Sequence, residues 1–279
     1  MSELVEMLGL PLLACIMMGG MLGYAGIHVL KREVIFIDIA LAQIAAVGSL
    51  IAHLAFDAEE GALLAYAFSI TCVLFVALFY ALVRRRVVQI SIEAVIGISY
   101  AIAAAGALFL IALAPGHAHV EGMLAGSLLW VEWPHIISIF VVFSVAGFCF
   151  YIFRKPLLSI SENYQDAIAK GVKVVWWDFL FYALVGVVIT VTVRVAGVVV
   201  VFAFLIIPAT ISALFSSRLV ARMLIAWTAA ITASIAGLLF AHCLDFSLGP
   251  PIALFMGCVL VAAALLRKFW EIRPTSRIR

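Results

Sequence analysis

The sequence predicts an all-α, polytopic membrane protein, and three observations carry that reading. Hydrophobic residues fill 67% of the 279 positions and charged residues 11%, against roughly 25% charge in a soluble domain. Apolar runs of about 20 residues, the length a helix needs to cross a bilayer, recur along the whole chain. The alternation of apolar and polar residues that a membrane β-barrel requires is absent. No stretch is long and polar enough for a separate soluble domain, so residues 1–279 read as one transmembrane domain.

The apolar segments fall at about 6–28, 34–56, 61–83, 92–114, 135–153, 174–193, 197–215, 220–242 and 250–268. A piece at 120–131 is too short to cross and is expected to be re-entrant or interfacial. Basic clusters mark the ends that stay in the cytoplasm. They are Lys31-Arg32, Arg84-Arg85-Arg86, Arg154-Lys155, Arg218 with Arg222, and Arg267-Lys268 with the arginines that follow. With nine spans, each cluster lies two crossings from the next, which puts the N-terminus outside and the C-terminus inside. The outer loops then hold Asp57, Glu59, Glu60, His117, His119, His242 and Asp245. Segment 194–217 contains Arg194, Gly197 and Pro208 and could be a broken or re-entrant helix, so the count stands at eight or nine. The N-terminus has no basic region and no small-residue cleavage site, so the first helix is expected to be retained.

The one long cytoplasmic connection is residues 154–177. Helix formers run from Glu162 to Lys170, and Gly171 stands where a helix end favours a left-handed residue. Such a segment is either an ordinary interfacial helix or a docking element for a cytoplasmic partner. The five cysteines are scattered without a CxxC pair and read as small core residues. HExxH, GxSxG, GxGxxG and GxxxxGK[ST] are all absent, so any use of ATP must come from another chain.

Four segments, taken in order, carry a family resemblance. MLAGSLLWV (123–131) is similar to an L-x-G-x-L-x-V piece before a fifth span. QDAIAKG (165–171) is similar to a cytoplasmic E-x-A-x-x-x-G helix, with Gln165 in the acidic place, then Ala167 and Gly171. RVAGVVVVFAFLIIPATISAL (194–214) keeps the Gly197, Pro208 and Ala209 of an R-V-x-G…P-A pattern. DFSLGPPIAL (245–254) is similar to D-x-P-T-G-P, with Asp245, Gly249 and Pro250 in place. Together they resemble the membrane-spanning permeases of ATP-binding-cassette importers for zinc, manganese or iron. The resemblance implies a homodimer in the bacterial cytoplasmic (inner) membrane, with ATPase subunits docked on a coupling helix at about 159–171. It also implies an extracytoplasmic metal-binding protein, a divalent metal ion as cargo, no cofactor held by this chain, and no nucleic-acid partner. Such a chain is a transport subunit and not an enzyme.

FIDIALAQIAAVGS (36–49) departs from the family's F-x-G-D-A-x-S-H-A-A-x-P-G. Aligned on Phe36, Ala40 and Gly48, Ile39 takes the place of the expected metal-binding aspartate and Gln43 that of the histidine. Asp38 falls one residue early. An amide is a weaker donor to a divalent cation than a carboxylate or imidazole. The cargo therefore stays open between a divalent metal and a different solute, and a secondary transporter on the same fold is the rival class.

The candidate residues each have two readings. Asp38 either pairs with a basic or hydroxyl group at the inner mouth or serves as a ligand or gate. Gln43 either bonds a neighbouring helix or lines the path. On a helix the two are about 140° apart, at about 100° per residue, so they do not share a face. Asp38 sides with Leu41, Ala42 and Ala45, and Gln43 with Ala40, Ala46 and Val47. His117 and His119, with Glu121, form either a metal-capture or docking loop or a solvated one. His242 and Asp245 read as an H-x-x-D pair or as a helix cap. His28, His53 and His135 read as structural rings near span ends. Gly197 and Pro208 mark a kink or a gating bend.

Overall fold

The computed structural model describes residues 2–58, 62–86, 89–113 and 128–272. His117, His119, Glu121 and most of the 120–131 piece lie outside these. Among the described residues eleven α-helices follow one another: α1 (Ser2–Arg32), α2 (Ile37–Phe56), α3 (Leu63–Arg86), α4 (Ile92–Leu113), α5 (Trp133–Ile152), α6 (Arg154–Glu162), α7 (Tyr164–Ala169), α8 (Val174–Ala196), α9 (Val198–Phe215), α10 (Leu219–Leu244) and α11 (Gly249–Ile272). Among the described residues nine helices, all but α6 and α7, are long and apolar enough to cross a membrane. The higher of the two expected span counts is the one observed.

Segment 194–217 is neither re-entrant nor broken in its middle. α9 is a full 18-residue helix, and Pro208 lies inside it, buried. The break falls at Gly197, the single residue between α8 and α9, with φ 81° and ψ 158°. A side chain with a Cβ rarely adopts that conformation. Laid end to end, the two helices would run on the order of 60 Å at about 1.5 Å per residue, twice the hydrocarbon thickness. The chain must turn at Gly197 if both are to stay in the bilayer.

α1 and α8 form the centre. Inside the protein lie 61% of the apolar window of α1 and 72% of that of α8, against 11% for α4. α1 packs on α9 and α10, α8 on α3, and α2 on α3 and α4. In a bilayer lipid is as apolar as leucine, so close backbone approach rather than apolar burial selects these pairs. A Cβ at Gly26 would stand 1.8 Å from the carbonyl oxygen of Leu205, so α1 and α9 touch through backbone there. A Cβ at Gly48 would stand 2.7 Å from the Phe68 carbonyl oxygen, so α2 and α3 also meet backbone to backbone. Large apolar side chains such as Phe75, Ile102, Phe140 and Leu266 point outward, as a lipid-facing surface requires.

Gly26→Leu should therefore prevent α1 and α9 from seating, because overpacking against rigid backbone costs at least about 1–3 kcal/mol. Gly97→Leu, with nothing within 4 Å of the new Cβ, should be tolerated. Thermal unfolding of the two variants in detergent, followed by monodispersity, distinguishes them; equal stability would contradict the packing.

Candidate functional site

The candidates on α2 come first. Asp38 lies in the first turn of α2 and is 1% exposed. Neither carboxyl oxygen finds a hydrogen-bond partner among the described residues. Of the two readings, a pairing with a basic or hydroxyl group has no counterpart among the described residues; Arg32, the basic residue that precedes α2 in the chain, pairs with Asp178. Leu41, Ala42, Ala45 and Ser49, on the face of Asp38, are buried too. Gln43 and Ile39 lie on a different, half-buried face. The N-terminus of α2 is held from outside: Glu93 on α4 accepts the N–H of Ile35 (3.0 Å) and of Phe36 (3.3 Å).

Further along α2, Arg194 of α8 donates to Ser49 Oγ (3.2 Å) and Ser69 Oγ (3.1 Å). Its guanidinium lies 4.0 Å from the Tyr66 ring centroid, and Ser69 donates onward to the Ala45 carbonyl at 2.8 Å. One cation thus binds α2, α3 and α8. A cavity of about 20 Å³ beside it, lined by Ala45, Ser49, Thr190 and Arg194 among others, has room for a single water.

The densest polar cluster is at the opposite end of α8, where Asp178 is completely buried. Its Oδ1 accepts from Arg32 of α1 at 2.5 Å and from Arg84 of α3 at 3.1 Å. Arg32 also donates to Ser161 Oγ (2.9 Å) and to the Leu157 carbonyl (3.3 Å), both on α6. Ser161 gives its own proton to Leu157 O (2.8 Å). The 3.0 Å contact between His28 Nδ1 and Ser161 Oγ is therefore donated by the imidazole, since the hydroxyl has no second proton. His28, expected to be a comfortable ring at a span end, is instead buried in this network. Buried charges survive only when paired and hydrogen-bonded, and here four helices, α1, α3, α6 and α8, supply the partners.

α7 hangs on that network. The expected helix from Glu162 to Lys170 is divided at Asn163, whose extended backbone ends α6 and caps α7. Its side chain accepts from the N–H of Gln165 (3.1 Å) and Asp166 (3.2 Å). At the other end Gly171 is left-handed, φ 75°, as expected. Gly171 N–H donates to Ile168 O at 2.9 Å and Val172 N–H to Ala167 O at 3.0 Å, which is the Schellman pattern. Ala167 is completely buried with Ile160 and Val174, so it seats the helix, while Gln165 and Gly171 are exposed. Tyr164 stacks its ring 4.4 Å from the Arg84 guanidinium. Burial, then the nearby Asp178 carboxylate, pushes the Tyr164 phenol above its usual range, so it stays neutral at physiological pH.

The remaining candidates are scattered. His242 and Asp245 are exposed at the end of α10, where Asp245 is left-handed (φ 54°) and closes the helix with its N–H on Ala241 O. No group of three or more His, Cys, Asp or Glu able to hold a metal ion occurs among the described residues. Asp38, Gln43, and the His242/Asp245 pair are not brought together; Gln165, Ala167 and Gly171 share one capped turn. Sequence reading missed Asp178, Tyr164 and Glu93. The available signal was an acid inside an apolar run, WWDFL, opposite arginines that had served only as topology marks.

Asp178→Asn should lower stability sharply, because removing one partner of a buried pair costs roughly 3–5 kcal/mol. Lys31→Ala, which breaks a 3.6 Å pair with the exposed Glu162, should cost less than about 1 kcal/mol. Unfolding midpoints of the purified variants check this; a small effect of Asp178→Asn would remove the network from its central place.

Comparison with known proteins agrees with this architecture. Residues 5–267 match the model of the ABC 3 transport family. A "probable metal transport system membrane protein" of Chlamydia pneumoniae is 28% identical over 169 residues, 59% of this chain and 56% of that protein. A "probable iron transport system membrane protein" of Haemophilus influenzae is 22% identical over 225 residues, 78% of this chain and 79% of that protein. This chain thus spans little more than half the length of the Chlamydia relative. Among solved structures, PsaBC from Streptococcus pneumoniae in complex with Fab shares the fold, with a TM-score of 0.79 at 20% identity over 98% of this chain and 99% of that one. A putative metal-chelate type ABC transporter in an inward-facing conformation gives 0.67 at 17% identity, over 94% and 85%. With the family model covering nearly its whole length, this chain belongs to the ABC 3 transport family.

Proposed function

We propose that this chain is the membrane permease of an ATP-binding-cassette importer that carries a divalent metal ion into the cytoplasm. The observation that carries the reading, beside the family match over residues 5–267, is α7: a short helix capped at both ends and wired through Tyr164 and Arg84 to Asp178. A rigid external helix attached to α1, α3 and α8 can hand a push from a partner to the spans. ATPase subunits would dock on its exposed side, Gln165, Asp166, Ile168 and Gly171, while Ala167 holds it to the bundle. ATP is hydrolysed on those partners. The permease works as a homodimer in the bacterial inner membrane, and a binding protein delivers cargo outside. The N-terminus lies outside and the C-terminus inside, which is supported by nine spans with every basic cluster at the α7 side.

Path residues follow from the same reading. Gln43, on the half-buried face of α2, is placed to meet a passing solute. Asp38 contributes a carboxyl from behind it, His242 and Asp245 belong to the outer mouth, and Gly197 and Pro208 shape the bend; His117 and His119, outside the described residues, would serve metal capture or contact with the binding protein. A second reading, a different cargo on the same fold, is favoured by the inward-turned Asp38 and by the absence of a three-ligand group among the described residues.

Elemental analysis of a strain lacking this gene should show a deficit in zinc, manganese or iron that the intact gene restores. Unchanged metal content would decide for the second reading. Gly171→Glu places a bulky acid at a positive φ on the docking side and should abolish co-purification with the ATPase. Undiminished complex formation would sink the docking assignment.

A further inference from the structure

We propose that a groove beside α1 binds an anionic phospholipid of the surrounding bilayer, with its headgroup at Arg154. α5 and α10 each pack on α1 without packing face to face on one another. They leave a cavity of about 600 Å³ between them, within the range of ligand sites. Its floor is Met17, Gly20, Met21 and Tyr24 of α1, spaced i, i+3, i+4 and i+7 so that they share one face of the helix. On the α5 wall nothing lies within 4 Å of the place a Cβ on Gly147 would take, so the slot stays open there. Met17, Met21 and Met223 supply flexible thioether chains, which adapt to an irregular hydrocarbon shape.

Charge separates the two ends of this slot. Arg154, which stacks 4.9 Å from the Tyr151 ring, is the one charged residue lining it among the described residues. Lys155 follows it, and Arg218 precedes Leu219, which also lines the groove. Among the described residues Arg154 and Arg218 form no ion pair, and Glu162, the acid of α6, is taken by Lys31. An apolar slot with cations at one end and no acid lining it to neutralise them fits an amphiphile with one acyl chain in the slot and a phosphate at the mouth. Basic pockets between spans recognise anionic headgroups in this way. A divalent cation is repelled from the same mouth, and a zwitterionic lipid would bring its ammonium against the guanidinium. The site is thus a lipid site and separate from the cargo path.

The test uses the full chain in nanodiscs with equal phosphatidylglycerol and phosphatidylethanolamine, followed by native mass spectrometry of the lipid retained in mild detergent. Wild type should hold phosphatidylglycerol about fivefold over phosphatidylethanolamine, the factor that one nearby cation supplies at a membrane surface. Arg154→Gln should bring the ratio to parity, Arg154→Lys should keep the preference, and Gly147→Leu should displace both lipids. Equal retention by wild type, or an unchanged ratio in Arg154→Gln, overturns the proposal. So does a disulfide between two copies carrying Ser144→Cys, which would mean that a second copy fills the groove.

Discussion

Everything at the α7 end of this bundle depends on one carboxylate. Asp178 stands between Arg32 and Arg84 with no exposed surface of its own. The buried guanidinium of Arg32 and the largely covered one of Arg84 would repel one another without it, and neither could be solvated by hydrocarbon. With it, the ends of α1, α3 and α8 are bound to a common point. The spare donors of Arg32 then reach Ser161 and the Leu157 carbonyl, which draws α6 against α1. The spare face of Arg84 receives the Tyr164 ring, which draws in α7. The external helices are therefore placed by the same charges that close the bundle.

Elsewhere the bundle is held by shape. Gly26 against the Leu205 carbonyl and Gly48 against Phe68 bring backbones into contact, where dispersion and helix geometry can act without a hydrophobic driving force. Gly197 serves differently, because its φ of 81° lets two apolar helices follow one another without a loop. The result is a rigid centre of α1 and α8 with more loosely covered helices, such as α4, around it. A bundle of this kind transmits displacement well, since its central contacts leave little room for local yielding.

The second helix shows why family and cargo are separate questions. The family follows from a match over nearly the whole chain, whereas what a transporter carries is decided by a few side chains at one site. Here the polar groups of α2 are divided between two sides. The buried side has Asp38 at one end and Ser49, bonded to Arg194, at the other. The half-buried side has Ile39 and Gln43. A cation such as Arg194 beside α2 raises the local potential, so any divalent solute would be held there less firmly than in a site lined by acids alone.

Composition and periodicity by themselves determined the class, the spans and the sequence of basic clusters, because the bilayer imposes length and hydrophobicity on each segment independently. The left-handed Gly171 was legible for a similar reason, since a helix end is a local event. The division of the 159–171 segment at Asn163 was missed because an N-cap inside a run of helix formers is chosen by how α6 and α7 pack, not by propensity. Only the tertiary structure decided that Arg32 and Arg84 meet Asp178, that Asp38 meets no partner among the described residues, and that Glu93 takes the N–H of Phe36, 57 residues away and just before α2. Those partners are far apart in the chain, and a single sequence carries no record of which helix ends come together.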